Sequence, residues 1–116
     1  MDFERLKVWQ KSMLVCERVH KLYRGSTEFV LKDQIFRSAL SIPSNIAEGE
    51  ERFSAKEAIR FLYIAKGSAG ELLTQLILSR RLGLIESDEF KQLEASIREV
   101  SKMIAGLIRS KSGTLK

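Results

Sequence analysis

Residues 41–54 read SIPSNIAEGEERFS, and this stretch places the single proline of the chain, Pro43, six residues before Gly49. An apolar stripe that begins at Leu31 continues through positions 35, 39, 42 and 46 without losing its helical phase. Pro43 is therefore predicted to lie inside a helix, where it bends the axis and leaves the carbonyl of Ala39 without an N–H donor. Gly49 is predicted to end that helix.

Working outward from this stretch, the pattern predicts four amphipathic helices. Ser54 and Glu57 form a capping box, which indicates that a helix begins at residue 55. Similar start and stop signals predict helices at about 6–24, 28–48, 55–82 and 88–108, followed by a frayed basic tail at 109–116. Because short connections force neighbouring helices to be antiparallel, the predicted fold is all-α, an up-down-up-down four-helix bundle in a single domain over residues 1–116.

The first three helices carry more apolar surface than one core requires. In helix 1, a stripe through Trp9 and Tyr23 lies beside a second one through Val8 and Val19, and helices 2 and 3 show the same doubling. In mid-helix, 67–70 reads GSAG, which costs about 1 kcal/mol of helix propensity per glycine and predicts that another helix approaches closely. A monomer would expose large apolar patches, so the sequence predicts a homo-oligomer.

The sequence gives little support for a metal site or for a nucleophilic catalytic site. With one histidine and one cysteine, the chain offers no Cys/His zinc set, no Ser-His-Asp set and no Glu-x-x-His pairs for a di-iron bundle. Cys16 and His20 are four residues apart in an apolar stripe, which favours packing over a thiolate pair. We therefore expect a non-enzymatic protein without metal or cofactor.

The distribution of apolar residues also predicts the compartment. No run of 18 apolar residues exists, and the segment 1–10 mixes charges with apolar residues where a signal peptide needs an uninterrupted apolar stretch. A single cysteine is typical of a reducing compartment. We expect a cytoplasmic protein with no membrane partner.

Charge is segregated along the chain, whose net charge is +5. Residues 5–24 hold six basic side chains against Glu17 alone, whereas residues 86–99 are rich in acids. A basic row on the polar side of helix 1 predicts phosphate contacts to nucleic acid, and the alternative is a solvated helix face. This basic row of helix 1 consists of Lys7, Lys11, Arg18 and Lys21. With little aromatic interleaving, such binding would be poor in sequence preference and strongly salt-dependent.

Several stretches together resemble a known family. They are LKVWQKS at 6–12, SIPSNIAEG at 41–49 with Arg52 and Ser54, RFLYIAKGSAGELLTQLILSRRLGLI at 60–85, and DEF at 88–90. With these stretches the chain resembles, over nearly its whole length, the four-helix-bundle proteins encoded in intervening sequences of bacterial 23S rRNA genes.

This resemblance implies a ring-like homopentamer with no established enzymatic activity. The family is similar in fold to Avd, the accessory protein of diversity-generating retroelements, which is a basic pentamer that engages a reverse transcriptase and nucleic acid. The motif positions carried over form either a structural site or a partner site: Ser41, Pro43, Asn45, Glu48, Gly49, Arg52 and Ser54. We expect Asn45, Glu48 and Arg52 to tie the end of helix 2 to helix 3, with Glu48 and Arg52 as an ion pair one turn apart.

Two functional hypotheses follow. The first is an oligomeric module that binds nucleic acid, RNA favoured over DNA, through the basic row of helix 1. The second is a protein–protein adaptor, a docking platform for a reverse transcriptase, a ribosomal component or another ribosome-associated complex.

Overall fold

The structure, a computed structural model, describes residues 1–113. These residues form a rod of 48 × 21 × 21 Å that contains helices and no strand. A short 3-10 helix, Asp2–Arg5, precedes four α-helices: α1 Lys7–Tyr23, α2 Phe29–Glu50, α3 Ala55–Arg81 and α4 Ser87–Gly113. The predicted all-α fold with four helices is confirmed, and most helix ends lie within two residues of their predicted places.

Both ends of α3 follow from local sequence. Its N-terminus is capped by Ser54, whose Oγ accepts a hydrogen bond from the N–H of Glu57 at 3.2 Å. The helix ends at Arg81, and Gly83, two residues later, has a positive φ of 75°. The N–H of Leu84 then bonds to the carbonyl of Ser79 at 2.9 Å, as in a Schellman motif. The predicted Ser54 cap is confirmed and the helix ends one residue before the predicted residue 82, but within residues 1–113 the Glu57 side chain makes no return bond that would complete the capping box.

Gly49 does not end α2, contrary to prediction. The helix continues to Glu50, and among the described residues the one glycine with a positive φ is Gly83. A Cβ added at Gly49 would lie 3.2 Å from the backbone oxygen of Ala58 in α3. Gly49 therefore lets two helices approach closely at a place where a Cβ would make an unusually tight contact.

The C-terminal end of α4 is also longer than predicted. Ile108 is buried and extends the apolar seam of the helix, and Lys111 pairs with Glu50 of α2 at 3.3 Å. These contacts hold the helix to Gly113, so the prediction of fraying is wrong for residues 109–113. Residues 114–116, the rest of the predicted tail, lie outside the described part of the chain.

The helices run antiparallel to their neighbours. Cys16 of α1 contacts Ala39 of α2, and one turn later His20 contacts Phe36, so numbers rise on one helix as they fall on the other. The α2–α3, α3–α4 and α1–α4 pairs also pack together, which closes the four helices around one core. Across that core the hydroxyls of Tyr23 in α1 and Ser79 in α3 share a hydrogen bond of 2.5 Å.

Each helix contributes one buried stripe to the core. The predicted α2 stripe is buried from Ile35 to Ile46 and only partly at Leu31, and the buried stripe of α4 runs from Leu93 to Ile108. The largest fully buried side chains of the core include Ile35, Ile42, Ile46, Leu62, Leu72, Leu76, Leu93, Ile97 and Ile104. None of the helices in residues 1–113 is both long and apolar enough to cross a membrane.

The second apolar stripes are covered only in part by the chain itself. Val15, Val19 and Pro43 are buried, whereas Phe29 and Leu40 are 63% and 57% exposed. The surplus of apolar surface that the sequence indicates is therefore present but smaller than predicted.

The two mid-helix glycines of α3 do not contact another helix of this chain. Gly67 and Gly70 are exposed, and a Cβ added at either would meet nothing within 4 Å. Ser68 and Ala69 between them are buried instead. The predicted close helix approach at these glycines is wrong within one copy of the chain.

Candidate nucleic-acid interface and the SIPSNIAEG motif

The first half of the motif is tied to α3 by serine hydroxyls. Ser41 Oγ lies 2.8 Å from Ser68 Oγ of α3 in a hydrogen bond that either can donate. The side-chain amide of Asn45 donates to both the backbone oxygen and the Oγ of Ser41, at 2.8 and 2.9 Å. Asn45 thus supports the link between α2 and α3 indirectly, through Ser41, rather than reaching α3 itself.

The second half of the motif holds α3 through an arginine. Arg52 pairs with Glu48 at 2.7 Å, as the one-turn spacing predicts. The Arg52 guanidinium also lies over the ring of Phe61 in α3, 4.5 Å from its centroid. The predicted Glu48–Arg52 ion pair is present, but of the three side chains expected to tie α2 to α3 only Arg52 contacts α3, at Phe61.

Cys16 supplies a hydrogen-bond donor that the helix lacks at Pro43. Because Pro43 has no N–H, the carbonyl of Ala39 lacks its helical donor, and the thiol of Cys16 donates to it from α1 at 3.1 Å. Burial raises the pKa of the Cys16 thiol to about 11, and the nearby Glu17 carboxylate adds to this shift. His20 packs edge-on against Phe36 instead of pairing with the thiol. This geometry fits the packing interpretation and gives no thiolate nucleophile.

Two of the four side chains in the basic row of helix 1 form ion pairs with acids of α4. Lys11 pairs with Glu99 at 2.8 Å, and Arg18 pairs with Glu89 at 3.1 Å and also bonds to Gln92. The structure thus brings the basic part of the sequence against its acidic part. Of the four predicted phosphate-binding side chains, Lys7 and Lys21 are exposed and have no ion pair within residues 1–113.

A different surface gathers more basic side chains, and only one of them, Arg98, forms an ion pair within residues 1–113. Phe61 and Ser68 mark the flank of α3 that meets α2, and Glu89 and Glu99 mark the flank of α4 that meets α1. At 100° per residue, the other exposed flanks of α3 and α4 adjoin each other and hold eight exposed basic side chains. We call this surface the cationic face: Lys56, Lys66, Arg80, Arg81, Lys91, Arg98, Lys102 and Arg109.

Acidic side chains are nearly absent from the cationic face. Glu94 lies on it and pairs with Arg98 at 3.2 Å. Of the two acids of α3, Glu57 lies toward the α2 side and Glu71 lies between that side and the outward stripe, one turn after Gly67, while other acids near the face lie at its end, at the turn between α3 and α4. This surface is not apparent in the linear sequence because its cations are spread over two helices, and only their helical phases bring them together.

Apolar surface gathers on the opposite side of the bundle. We call it the α1–α2 face, where partly buried or exposed apolar side chains of both helices adjoin. Its members are Trp9, Met13, Cys16, Phe29, Phe36 and Leu40. Other exposed apolar side chains, among them Leu14, Tyr63 and Leu78, lie outside this face.

A metal centre has no evident ligands. Within the described residues no three His, Cys, Asp or Glu side chains come together in a group that could hold a metal ion.

Comparisons with known proteins place the chain in a family. A solved protein of unknown function from the S23 ribosomal protein family of Bacteroides thetaiotaomicron is similar in structure, with a TM-score of 0.84 and 31% sequence identity. The match covers 87% of this chain and 97% of that one. No curated protein sequence matches the chain. The family model described as 23S rRNA-intervening sequence protein matches residues 4–106, and the chain therefore belongs to that family.

Proposed function

We propose that this protein is a non-enzymatic, self-associating bundle that binds nucleic acid, RNA favoured over DNA, by phosphate contacts along the cationic face. The observation that supports this proposal is the charge of that face, where eight exposed basic side chains are accompanied by Glu94 and by acids at its end, in the turn between α3 and α4. Neutralising phosphates with such side chains releases condensed counterions, which drives binding of nucleic acid without sequence preference.

The dimensions of the face suit a polyanion. The basic side chains of α3 extend from Lys56 to Arg81, roughly 38 Å at a rise of 1.5 Å per residue. A strand laid along the groove between α3 and α4 would meet cations from both sides. If copies of the chain associate, they also repeat the face, and each further face raises the effective concentration of binding sites.

The basic row of helix 1 is expected to contribute less than the sequence indicates. A phosphate near Lys11 or Arg18 would also lie near Glu99 or Glu89, whose charges repel it. Lys7 and Lys21 remain available as secondary contacts. The site of binding is therefore proposed on the opposite flank of α4.

Charge reversals on the two surfaces test the proposal. The first variant carries Lys66→Glu, Lys102→Glu and Arg109→Glu on the cationic face. The control carries Lys7→Glu, Lys21→Glu and Arg24→Glu on α1, which changes the net charge equally. Labelled RNA is titrated at 50 and 200 mM salt. We expect the first variant to lose about 100-fold in affinity at low salt and the control less than about tenfold, with a steep salt dependence in the wild type.

Three results would contradict this expectation. Equal losses in the two variants would show that net charge matters and the face does not. A larger loss of RNA affinity in the control would indicate that the binding site lies on helix 1. No binding by the wild type at 50 mM salt would refute the nucleic-acid proposal itself.

A protein–protein adaptor is the second candidate, and the α1–α2 face favours it. Phe29 and Leu40 expose more than half of their surface there, and contiguous apolar surface of this kind is typical of protein contacts. Such a face would serve self-association, as a homopentamer by analogy with the family, or the docking of a larger partner such as a reverse transcriptase or a ribosomal component. Light scattering on the titration samples reports the assembly, and assembly without RNA binding at low salt would favour the adaptor.

A further inference from the structure

Tyr63 is a large exposed aromatic side chain beside the cationic face. It lies on the outward stripe of α3, and 59% of its surface is accessible. Lys56 is two turns before it on this stripe, and Lys66 is three residues after it. Within residues 1–113 the Tyr63 side chain makes no hydrogen bond and no ring contact. Its exposure is therefore not explained by a role in this copy of the fold.

The helix surface next to Tyr63 is bare. Gly67 and Gly70 follow it one and two turns later on the same stripe, and a Cβ at either position would meet open space. Thr74 continues the stripe, and its hydroxyl bonds to the backbone oxygen of Gly70. The Tyr63 ring therefore lies at one end of a strip of helix surface without bulky side chains. This strip is about 10 Å long, at 1.5 Å per residue from Tyr63 to Gly70. A flat group can lie close to the backbone along this strip.

We propose that Tyr63 is a stacking platform for one base of a single-stranded nucleic acid. Lys56 and Lys66 hold the phosphates on either side of that base, and the next nucleotide lies along the bare strip at Gly67 and Gly70. The inference rests on the proposed nucleic-acid function and adds to it a preference for single strands. Bases of a duplex are already stacked on one another, whereas those of a single strand are free to stack on an aromatic side chain.

The charge of the site selects this occupant over a second copy of the chain. An apolar partner helix would have to bury or displace the side chains of Lys56 and Lys66, which have no ion pair within the described residues. A polyanion pairs with these same side chains while the ring takes the base. Charge complementarity therefore fits a nucleic acid better than an apolar helix.

The test compares single-stranded RNA of 12 nucleotides that contains 2-aminopurine with a duplex of the same length, at constant salt. Tyr63→Leu keeps an apolar side chain but removes the ring. We expect it to weaken single-strand binding about 5- to 150-fold, the equivalent of about 1–3 kcal/mol of stacking, and to abolish the quenching of 2-aminopurine fluorescence. Duplex affinity and the salt slope should not change, because no phosphate contact is lost.

Two control variants separate stacking from simple loss of surface. Tyr63→Phe keeps the ring and should bind single strands within about threefold of the wild type, since stacking needs no hydroxyl. Leu78→Ala removes another exposed apolar side chain of α3, 47% accessible, and should leave affinity unchanged.

The outcomes distinguish this inference from the function on which it rests. Equal weakening of single-strand and duplex binding by Tyr63→Leu, or unchanged quenching, overturns the stacking role while nucleic-acid binding stands. A fall in assembly mass with Tyr63→Leu assigns the side chain to a contact between copies and also overturns it. Absence of any binding by the wild type at low salt refutes both.

Discussion

Two stretches of small and polar residues lie inside helices of this protein, and their environments are opposite. In residues 41–49 of α2, Ser41 bonds to α3 and Gly49 admits the backbone of α3 so closely that a Cβ there would be only 3.2 Å from an oxygen of α3. In residues 67–70 of α3, Gly67 and Gly70 face open space beside Tyr63. Similar residue types thus serve close packing in one helix and leave a bare surface in the other.

The comparison separates what maintains the fold from what is available for binding. The 41–49 stretch is the most distinctive part of the sequence, yet its hydrogen bonds and close contacts are satisfied within the chain. The 67–70 stretch gives no such internal reason for its glycines. The contacts of the 41–49 stretch therefore have an explanation within the fold, whereas the exposed flank of α3 has none.

The largest stability effect should come from replacing glycine by alanine in each stretch. Alanine gains about 1 kcal/mol of helix propensity at either place. At Gly49 the new Cβ would press on the backbone oxygen of Ala58, 3.2 Å away in the first turn of α3, and overpacking costs about 1–3 kcal/mol. Phe61 and Leu62 would lie 3.6 and 3.7 Å from the same Cβ and limit its shift, so we expect Gly49→Ala to lower the free energy of unfolding by up to about 2 kcal/mol.

Gly67→Ala is the matched control and should have the opposite sign. Nothing stands within 4 Å of its new methyl group, so the propensity gain should raise the free energy of unfolding by up to about 1 kcal/mol. Urea denaturation of both variants measures the difference. Two changes of the same sign would remove the contrast between the stretches.

Cys16→Ala tests the buried side of the comparison with a smaller change. The variant removes the thiol that donates a hydrogen bond to the carbonyl of Ala39, and Pro43 has no N–H to replace it. Leaving this buried acceptor unpaired costs about 1–2 kcal/mol. Cys16→Ser keeps a donor and should be less destabilising than the alanine variant. Urea denaturation measures both, and equal losses would show that the volume of the side chain matters and the hydrogen bond does not.

The same thiol gives a pH-dependent readout. Burial raises its pKa from 9.0 to about 11, so at pH 8 its thiolate fraction and its alkylation rate should be about 100-fold below those of an ordinary cysteine. Above pH 9 the thiol ionises in the unfolded chain but not in the folded one. The unfolded state then binds fewer protons, and stability attributable to Cys16 falls as pH rises from 9 toward 11.

The sequence predicts the helices of this fold better than it predicts its surfaces. Helix starts and stops depend on local signals such as Ser54 and Gly83, which can be read without knowing any neighbour. The roles of Gly49 and Gly67 depend on the direction that each position faces, which only the packed bundle determines. The Pro43 prediction was right about the freed carbonyl, but its partner, Cys16, comes from another helix.

The charged surfaces of the protein are also hard to predict from the sequence of one helix at a time. A basic row on one helix is visible in the sequence, but Glu89 and Glu99 oppose it only after α4 folds against α1. The cationic face requires the phases of two helices at once. Local patterns therefore predict elements, while contacts between elements decide which surfaces carry charge.

The smallest effect is expected at Arg52, where the motif reaches the surface. Arg52→Ala removes an exposed ion pair with Glu48, worth about 0.3–0.5 kcal/mol, and a contact with the Phe61 ring, worth about 0.5–1 kcal/mol. Glu48→Gln removes the ion pair alone and should cost less. Thermal melting of the two variants measures both terms. If the motif binds a partner instead, melting should not change, whereas unchanged RNA affinity with a lower melting temperature would place Arg52 among the residues that hold α2 to α3.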